Sequence, residues 1–290
     1  MFAFTHQVLS GLAMGSVYAS VALAIVMIYQ ATRLVNFAQG EMAMFSTYLA
    51  WAMIDAGLPY WVAFFLTVVI SFVLGAAIER LVIRRFDGAP VLTVVIVFIG
   101  LLVIINSLAG WLFTYSIKSF ESPFPETARF GAGYISPHEM GAIGVTLAML
   151  ALIYVFFRFT PLGLAMRAAA QNPLSARLVG ISVGRMLAIG WGLAAAVGAV
   201  AGMMAAPIVY LDPNMMGGIL LYGFAAALLG GIDNPWGAVL GGFSLGIVEN
   251  LLGAYLIGTE LKMTVALVII VLVLVVKPSG VFGRTVLTRV

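Results

Sequence analysis

The chain has 290 residues, of which 63% are hydrophobic and 9% are charged, and its mean hydropathy is +1.14. This composition excludes an ordinary water-soluble domain and indicates an integral membrane protein. The net charge is +3, and the basic residues lie beside apolar runs, so the charge does not indicate a nucleic-acid surface. The chain has no cysteine and therefore no disulfides or thiol chemistry.

The sequence consists of apolar runs separated by short polar segments, and many of the runs have the roughly 20 residues that a membrane-spanning helix needs. We therefore predict an all-α fold, a polytopic transmembrane helical bundle, and exclude a transmembrane barrel of alternating strands. Long runs are predicted at 7–29, 61–83, 91–113, 140–157, 186–210, 236–255 and 262–276. Two shorter runs, which end near Asp55 and Gly231, bring the count to nine spans, or to eight if one is re-entrant.

Four pairs of glycines have the GxxxG spacing, which lets two helices approach backbone to backbone. We expect these pairs to pack helices within the chain. They are Gly11 with Gly15, Gly198 with Gly202, Gly237 with Gly241, and Gly242 with Gly246.

Basic residues predict the orientation, because lysines and arginines concentrate in cytoplasmic loops. With the N-terminus outside and the C-terminus in the cytoplasm, eleven of the fourteen face the cytoplasm: Arg33, Arg80, Arg84, Arg85, Arg158, Arg167, Arg177, Arg185, Lys277, Arg284 and Arg289. Lys118, Arg129 and Lys262 remain outside. We expect one transmembrane domain over residues 1–290, with an external loop at 114–139 and a cytoplasmic loop at 159–185.

The loop at 159–185 carries arginines on a segment rich in small residues. Alanines 168–170 favour a helix, Pro173 is suited to begin a second one, and Gly180 is suited to end it. We predict two short helices outside the membrane. They present either a surface on which another protein docks closely or a plain connecting loop anchored by its arginines.

No catalytic motif is present in the sequence. It contains no GxxxxGK[ST], HExxH or CxxC, and His6 and His138 are isolated. We therefore expect no enzyme activity, no metal site and no cofactor in this chain itself.

Polar residues border both short apolar runs: Asn36, Gln39 and Glu41 lie beside the first, and Asp233 and Asn234 beside the second. The runs stand second in the two halves and cross in opposite directions, as an inverted repeat requires. We hypothesise that Asn36 and Gln39 face a translocation pathway opposite the glycines of 217–231. The alternative is that 36–41 caps a helix and stabilises a cytoplasmic gate.

Glu249 is the one acidic residue that lies deep in a predicted span. It is a further candidate for the pathway, where a buried carboxylate couples transport to an ion. Alternatively, it faces the bundle and pairs with Asn250 or water.

Three stretches carry a family resemblance: GLAMGSVYASVALAIVMIYQATRLVNFAQGE at Gly11–Glu41, GFAAALLGGIDNPWGAVLGGFSLGIVE at Gly223–Glu249, and KPSGVFG at Lys277–Gly283. Together with the length of the chain, they resemble the branched-chain amino acid ABC transporter permeases of the LivH type. The resemblance covers essentially the whole chain.

This resemblance implies a multi-pass subunit of an importer in the bacterial inner membrane. Its expected partners are a second, related permease, two cytoplasmic ATPases that bind ATP and Mg, a periplasmic solute-binding protein and membrane lipid, with no nucleic acid. The expected substrates are branched-chain or related small amino acids. Two other classes stay open, an ion-coupled secondary transporter of small solutes and a non-transport structural membrane subunit.

The resemblance also implies a docking role for the cytoplasmic loop. In ABC importers this loop carries two alanines followed by a spaced glycine, and the matching positions are Ala168, Ala169 and Gly180. Arg167 stands where a glutamate often precedes the alanines, and this departure weakens the carry-over of a specific salt bridge of the family to this chain.

Overall fold

The computed structural model describes residues 2–124 and 135–283. The predicted external loop at 114–139 is therefore only partly described, and Arg129, Arg284 and Arg289 lie outside the described residues. The described residues form eleven α-helices: α1 Phe2–Thr32, α2 Gln39–Asp55, α3 Tyr60–Leu81, α4 Val91–Phe113, α5 Pro137–Phe159, α6 Pro161–Gln171, α7 Pro173–Leu178, α8 Val183–Val209, α9 Met215–Gly230, α10 Pro235–Leu252 and α11 Lys262–Val276.

Six of these helices, α1, α3, α4, α5, α8 and α10, are long and apolar enough to cross a membrane, and α9 and α11 are shorter apolar helices. α2, with 17 residues, is a third short helix. The all-α polytopic bundle is thus confirmed, and eight to nine spans is an adequate approximate count for the part of the chain described.

α1 and α8 form the centre of the bundle. In the most apolar 18-residue stretch of each helix, 89% of the residues are buried in α1 and 72% in α8, against 11% in α4. The same two helices supply many of the small core residues, and Trp191 of α8 is completely buried. α4 and α11 lie at the periphery, where their large apolar side chains are exposed as lipid-facing side chains are.

Close crossings between helices depend on glycine. A Cβ atom at Gly11 of α1 would lie 2.8 Å from the carbonyl oxygen of Gly246 in α10, and one at Gly75 of α3 would lie 2.6 Å from the carbonyl oxygen of Trp191 in α8. Both distances are too short for a real side chain, so the backbones touch. Gly11 and Gly246 belong to predicted GxxxG pairs, which here pack helices within one chain.

The two halves of the bundle have matching neighbours. α1 packs against α10 as α8 packs against α3, α9 packs against α1 as α2 packs against α8, and α4 lies on α2 as α11 lies on α9. Residues of α1–α4 therefore occupy the same relative positions as those of α8–α11. This exchange of neighbours is the arrangement that an internal repeat produces.

Contacts at the helix ends show that the second half is inverted. Arg33, after α1, pairs with Asp233, after α9, so both helices end at one face. Ser10, near the start of α1, donates to Glu139 in the first turn of α5, and the neighbouring His138 contacts the carbonyl oxygen of Met204, near the end of α8. α8 therefore ends at the face where α1 begins. α1 and α8 thus run in opposite directions, as an inverted repeat requires.

α6 and α7 form the two short helices that the sequence predicts in the loop between α5 and α8. Thr160 and Asn172 accept hydrogen bonds from the first turns of α6 and α7, and each is followed by proline. These are the usual signals of a helix start. Beyond α7, Gly180 has a φ of +84°, which glycine adopts without strain.

Candidate functional site

α2 begins inside the bundle rather than at its surface. After α1 the chain turns at Arg33, which has a φ of +59°, and the next residues return toward the centre. Gln39, the first residue of α2, donates its side-chain amide to the carbonyl oxygen of Ala194 at 3.0 Å. Ala194 lies about 16 Å along α8 from the start of that helix, so the break between α1 and α2 reaches well into the membrane.

Asn36 and Gln39 are completely buried at this break. The side-chain oxygen of Asn36 accepts from the backbone of Ala38 at 3.0 Å, and its amide nitrogen lies 3.5 Å from the side-chain oxygen of Gln39. These bonds satisfy polar groups that irregular backbone would otherwise leave unpaired. Neither side chain lines an open passage in this conformation, and their place in the pathway stays a prediction.

Glu41, in the first turn of α2, is 7% exposed and reaches a different neighbour. The side-chain nitrogen of Asn106 in α4 lies 3.2 Å from its carboxylate. Seven residues later along both helices, Tyr48 stacks on Phe113 at a ring separation of 4.7 Å. The two helices therefore run side by side in matched register, and Glu41 lies about 10 Å below the end of α4.

α9 also begins beside Asn106, but the chain reaches this point from the end of α8, whereas it reaches α2 from the end of α1. The segment after Leu211 turns back into the bundle, where Asp212 accepts from the backbone of Asn214 at 2.6 Å. The nitrogen of Asn106 donates to the carbonyl oxygen of Pro213 at 2.7 Å and lies 3.4 Å from the side-chain oxygen of Asn214. One amide of α4 thus joins the beginnings of α2 and α9. We call Glu41, Asn106, Pro213 and Asn214 the junction.

Glu249 lies outside the junction. Its carboxylate accepts from the Tyr18 hydroxyl of α1 at 2.9 Å and lies 4.0 Å from the Lys262 ammonium of α11. Lys262 also donates to Asn250 at 3.0 Å, and Asn250 donates to the backbone of Gln7 at 2.7 Å. Tyr222 of α9 also hydrogen-bonds to Glu249. The network therefore ties together α1, α9, α10 and α11, and Glu249 pairs with tyrosines and a lysine rather than with Asn250.

Asp233 and Asn234 lie at the face where α1 and α9 end. Asp233 pairs with Arg33 at 2.7 Å, and its carbonyl oxygen accepts from Gln30 at 2.9 Å. Asn234 caps α10 and donates to the carbonyl oxygen of Phe282 at 3.1 Å. The pathway candidates taken from the sequence therefore occupy separate places in the fold: the break before α2, the junction, the Glu249 network and this face.

The four docking candidates differ in exposure: some face the bundle and others face away from it. Ala169 is buried against Ala176 and Val183, and Ala168 is half-buried. Arg167 and Gly180 are exposed. The role of all four stays a prediction, with Ala169 placed on the inner side of the loop.

Large apolar side chains cover the outer side of the same loop. Leu174, Leu178 and Val179 are 72%, 83% and 75% exposed, and Leu164 is 61% exposed. Arg167 and Arg177 are exposed beside them. We call these six residues the loop face. Exposed apolar surface of this kind marks a site of interaction with protein or membrane.

Comparison with known proteins places the chain in a family. The family described as the branched-chain amino acid transport system / permease component matches residues 7–274. The chain belongs to this family. LivH, a high-affinity branched-chain amino acid transport system permease protein of Escherichia coli K12, is 32% identical over 299 aligned residues that cover 97% of this chain and 96% of LivH.

More distant proteins cover a similar share of this permease. The BraD permease protein of Pseudomonas aeruginosa is 29% identical and covers 98% of this chain and 97% of its own length. The solved structure of PsaBC from Streptococcus pneumoniae in complex with Fab is 13% identical and has a TM-score of 0.52, with coverage of 93% of this chain and 91% of that one. At this identity the structure supports the fold alone.

Asn106 is a site residue of the permease that reasoning from the sequence missed. It lies in the apolar sequence of α4, which otherwise contains only weakly polar Thr93 and Ser107 among apolar residues and glycines. A strongly polar amide within a span is itself a signal of function, because polar groups there face protein or a water-filled cavity.

Among the described residues, no group of three or more His, Cys, Asp or Glu side chains converges as a metal site would require.

Proposed function

We propose that this chain is a membrane permease subunit of an ATP-binding-cassette importer. With a second, related permease it forms the pathway for branched-chain or related small amino acids that a periplasmic binding protein delivers. The observation that carries the proposal is the similarity, over nearly the whole chain, to permeases named for branched-chain amino acid transport. The helical bundle with an inverted repeat and two re-entrant helix starts supports it.

The energy for transport comes from two separate ATPase subunits, which bind ATP and Mg. The sequence has no nucleotide-binding motif, so the permease must receive movement from a partner. The loop face is the docking surface in this proposal. Its leucines would fill apolar pockets of the ATPase, and Arg167 and Arg177 would pair with acidic side chains around them.

The docking role requires the loop to lie in the cytoplasm. In this orientation the N-terminus is outside and the C-terminus inside the cell, in a bacterial inner membrane. The eleven-to-three division of basic residues supports it. A reporter enzyme fused after Gln171 is expected to be active in the cytoplasm and one fused after Arg129 on the outside; the reverse pattern would overturn both the orientation and the docking surface.

The decisive experiment is uptake by the reconstituted transporter. Vesicles that contain both permeases and both ATPases are expected to accumulate L-leucine only with ATP inside and the loaded binding protein outside. Uptake driven by a proton or sodium gradient in vesicles with this chain alone would instead support a secondary transporter. That alternative relied on Glu249, and the proximity of Lys262 and Tyr18 to its carboxylate favours a structural role over ion coupling. Unchanged uptake after loss of this chain would support a structural subunit.

A further inference from the structure

We propose that the junction is a binding site for the ammonium group of a transported amino acid. The inference rests on the function proposed above and specifies which chemical group this part of the pathway recognises. Three independent features of the junction support it: the charge of Glu41, the number of oxygens around Asn106, and the exposure of Asn214.

The first feature is an imbalance of charge. Three acidic side chains of the membrane helices are buried: Glu79, Glu249 and Glu41 are 2%, 5% and 7% exposed. Glu79 pairs with Arg84 at 2.6 Å, and Glu249 lies 4.0 Å from Lys262. Within the described parts of the chain, Glu41 has no cation within 4.0 Å. A buried carboxylate is costly without a counter-charge, so a positive ligand group would complete this site.

The second feature is an excess of acceptors. Three oxygens surround the side-chain nitrogen of Asn106: the Pro213 carbonyl at 2.7 Å, the Glu41 carboxylate at 3.2 Å and the Asn214 side chain at 3.4 Å. A carboxamide nitrogen carries two hydrogens, whereas an ammonium carries three. The nitrogen of Asn106 thus occupies a position in which an ammonium would satisfy all three oxygens and neutralise Glu41. The ligand would displace the amide of Asn106 from it.

The third feature is access. Asn214 directly precedes α9, yet its side chain caps none of the N–H groups of that helix and stands exposed. Gly217 is also exposed, and a Cβ there would meet no described atom within 4 Å. Polar groups at this depth are tolerated where they face protein or a water-filled cavity, not lipid. The junction is therefore exposed at Asn214 and Gly217, and under the proposed function this is the side from which a ligand enters.

The test uses single cysteines in this naturally cysteine-free chain. Asn214→Cys and Gly217→Cys variants, in vesicles with the complete transporter, are treated with a cationic and with an anionic methanethiosulfonate of similar size. Relative to their rates with a free thiol in solution, we expect the cationic reagent to react about tenfold faster than the anionic one; this ratio corresponds to a difference of about 1.4 kcal/mol between the attraction of one and the repulsion of the other by Glu41. Glu41→Gln should remove this preference, and Glu41→Asp should keep it. Ile104→Cys, on the exposed apolar side of α4, is the control that should not react.

Competition identifies the ligand group. Millimolar L-leucine should slow the cationic reagent, whereas 4-methylpentanoate, which has the same carbon skeleton without the ammonium, should not. Equal rates for both reagents, equal protection by both compounds, or reaction no faster than at Ile104→Cys would each overturn the site. Labelling does not require transport, so failure of leucine uptake would refute the proposed function separately. Two reporter positions and the conservative Glu41→Asp change guard against a folding defect in one variant.

Discussion

The loop face offers a quantitative test of ATPase docking. Leu178 is 83% exposed, so nearly the whole side chain is available to a partner. Burying a leucine completely contributes about 1.5 to 3 kcal/mol. Leu178→Asp removes that contribution and places a carboxylate in the contact, so we expect the affinity for the ATPases to fall by at least about 10- to 150-fold.

The assay measures binding of purified ATPase subunits to the permease pair in lipid nanodiscs, together with ATP-dependent uptake of L-leucine. Because Leu178 makes few contacts within its own chain, the variant should insert and melt as the unchanged permease does. The matched control is Leu261→Asp, which changes a leucine that is 50% exposed between α10 and α11, outside the candidate spans and away from the loop. The docking surface would be refuted if the ATPase affinity of Leu178→Asp stayed within twofold of that of the unchanged permease. It would also be refuted if the affinity fell equally for both variants.

Two further predictions concern the bundle itself. Lys262→Met leaves Glu249 buried without a counter-charge and should destabilise the purified permease by about 3 to 5 kcal/mol; adding Glu249→Gln should recover much of this loss, and thermal unfolding in detergent that shows no recovery would contradict the pairing. Gly246→Val places side-chain atoms against the backbone of α1 and should cost about 1 to 3 kcal/mol or more, measured in the same way. Gly144→Ala, where the structure leaves open space, should be tolerated, and equal losses in both glycine variants would contradict the crossing.

Local signals in the sequence were sufficient to predict the loop helices. Thr160 and Asn172 each stand before a proline, and the bonds that they make reach only three residues along the chain. Helix starts of this kind depend only on residues that are close together in the chain, so they can be predicted from the sequence. The hydrophobic runs likewise predicted the spans, because their length reflects the thickness of the bilayer.

The junction could not be predicted in this way. Asn106 is 65 positions from Glu41 and 107 from Pro213, and only the packing of α2, α4 and α9 brings the three together. The side of α6 that carries Ala169 was hidden for the same reason, since its burial depends on Val183 in the next long helix. The depth at which α2 begins follows from a contact with α8, not from the composition of either segment.

The inverted repeat sets the place of the one buried carboxylate that has no nearby cation among the described residues of the membrane helices. The third helix of each half carries a buried glutamate near its end, and a basic residue that follows it in the chain lies close to it: Glu79 with Arg84, and Glu249 with Lys262. Glu41 is instead the third residue of the second helix, α2. The third residue of α9 is Gly217, which is exposed and has space around it. At matching positions, one half therefore has the charge of Glu41 and the other has the space at Gly217. A ligand that passes between α2 and α9 would meet one acidic site rather than two.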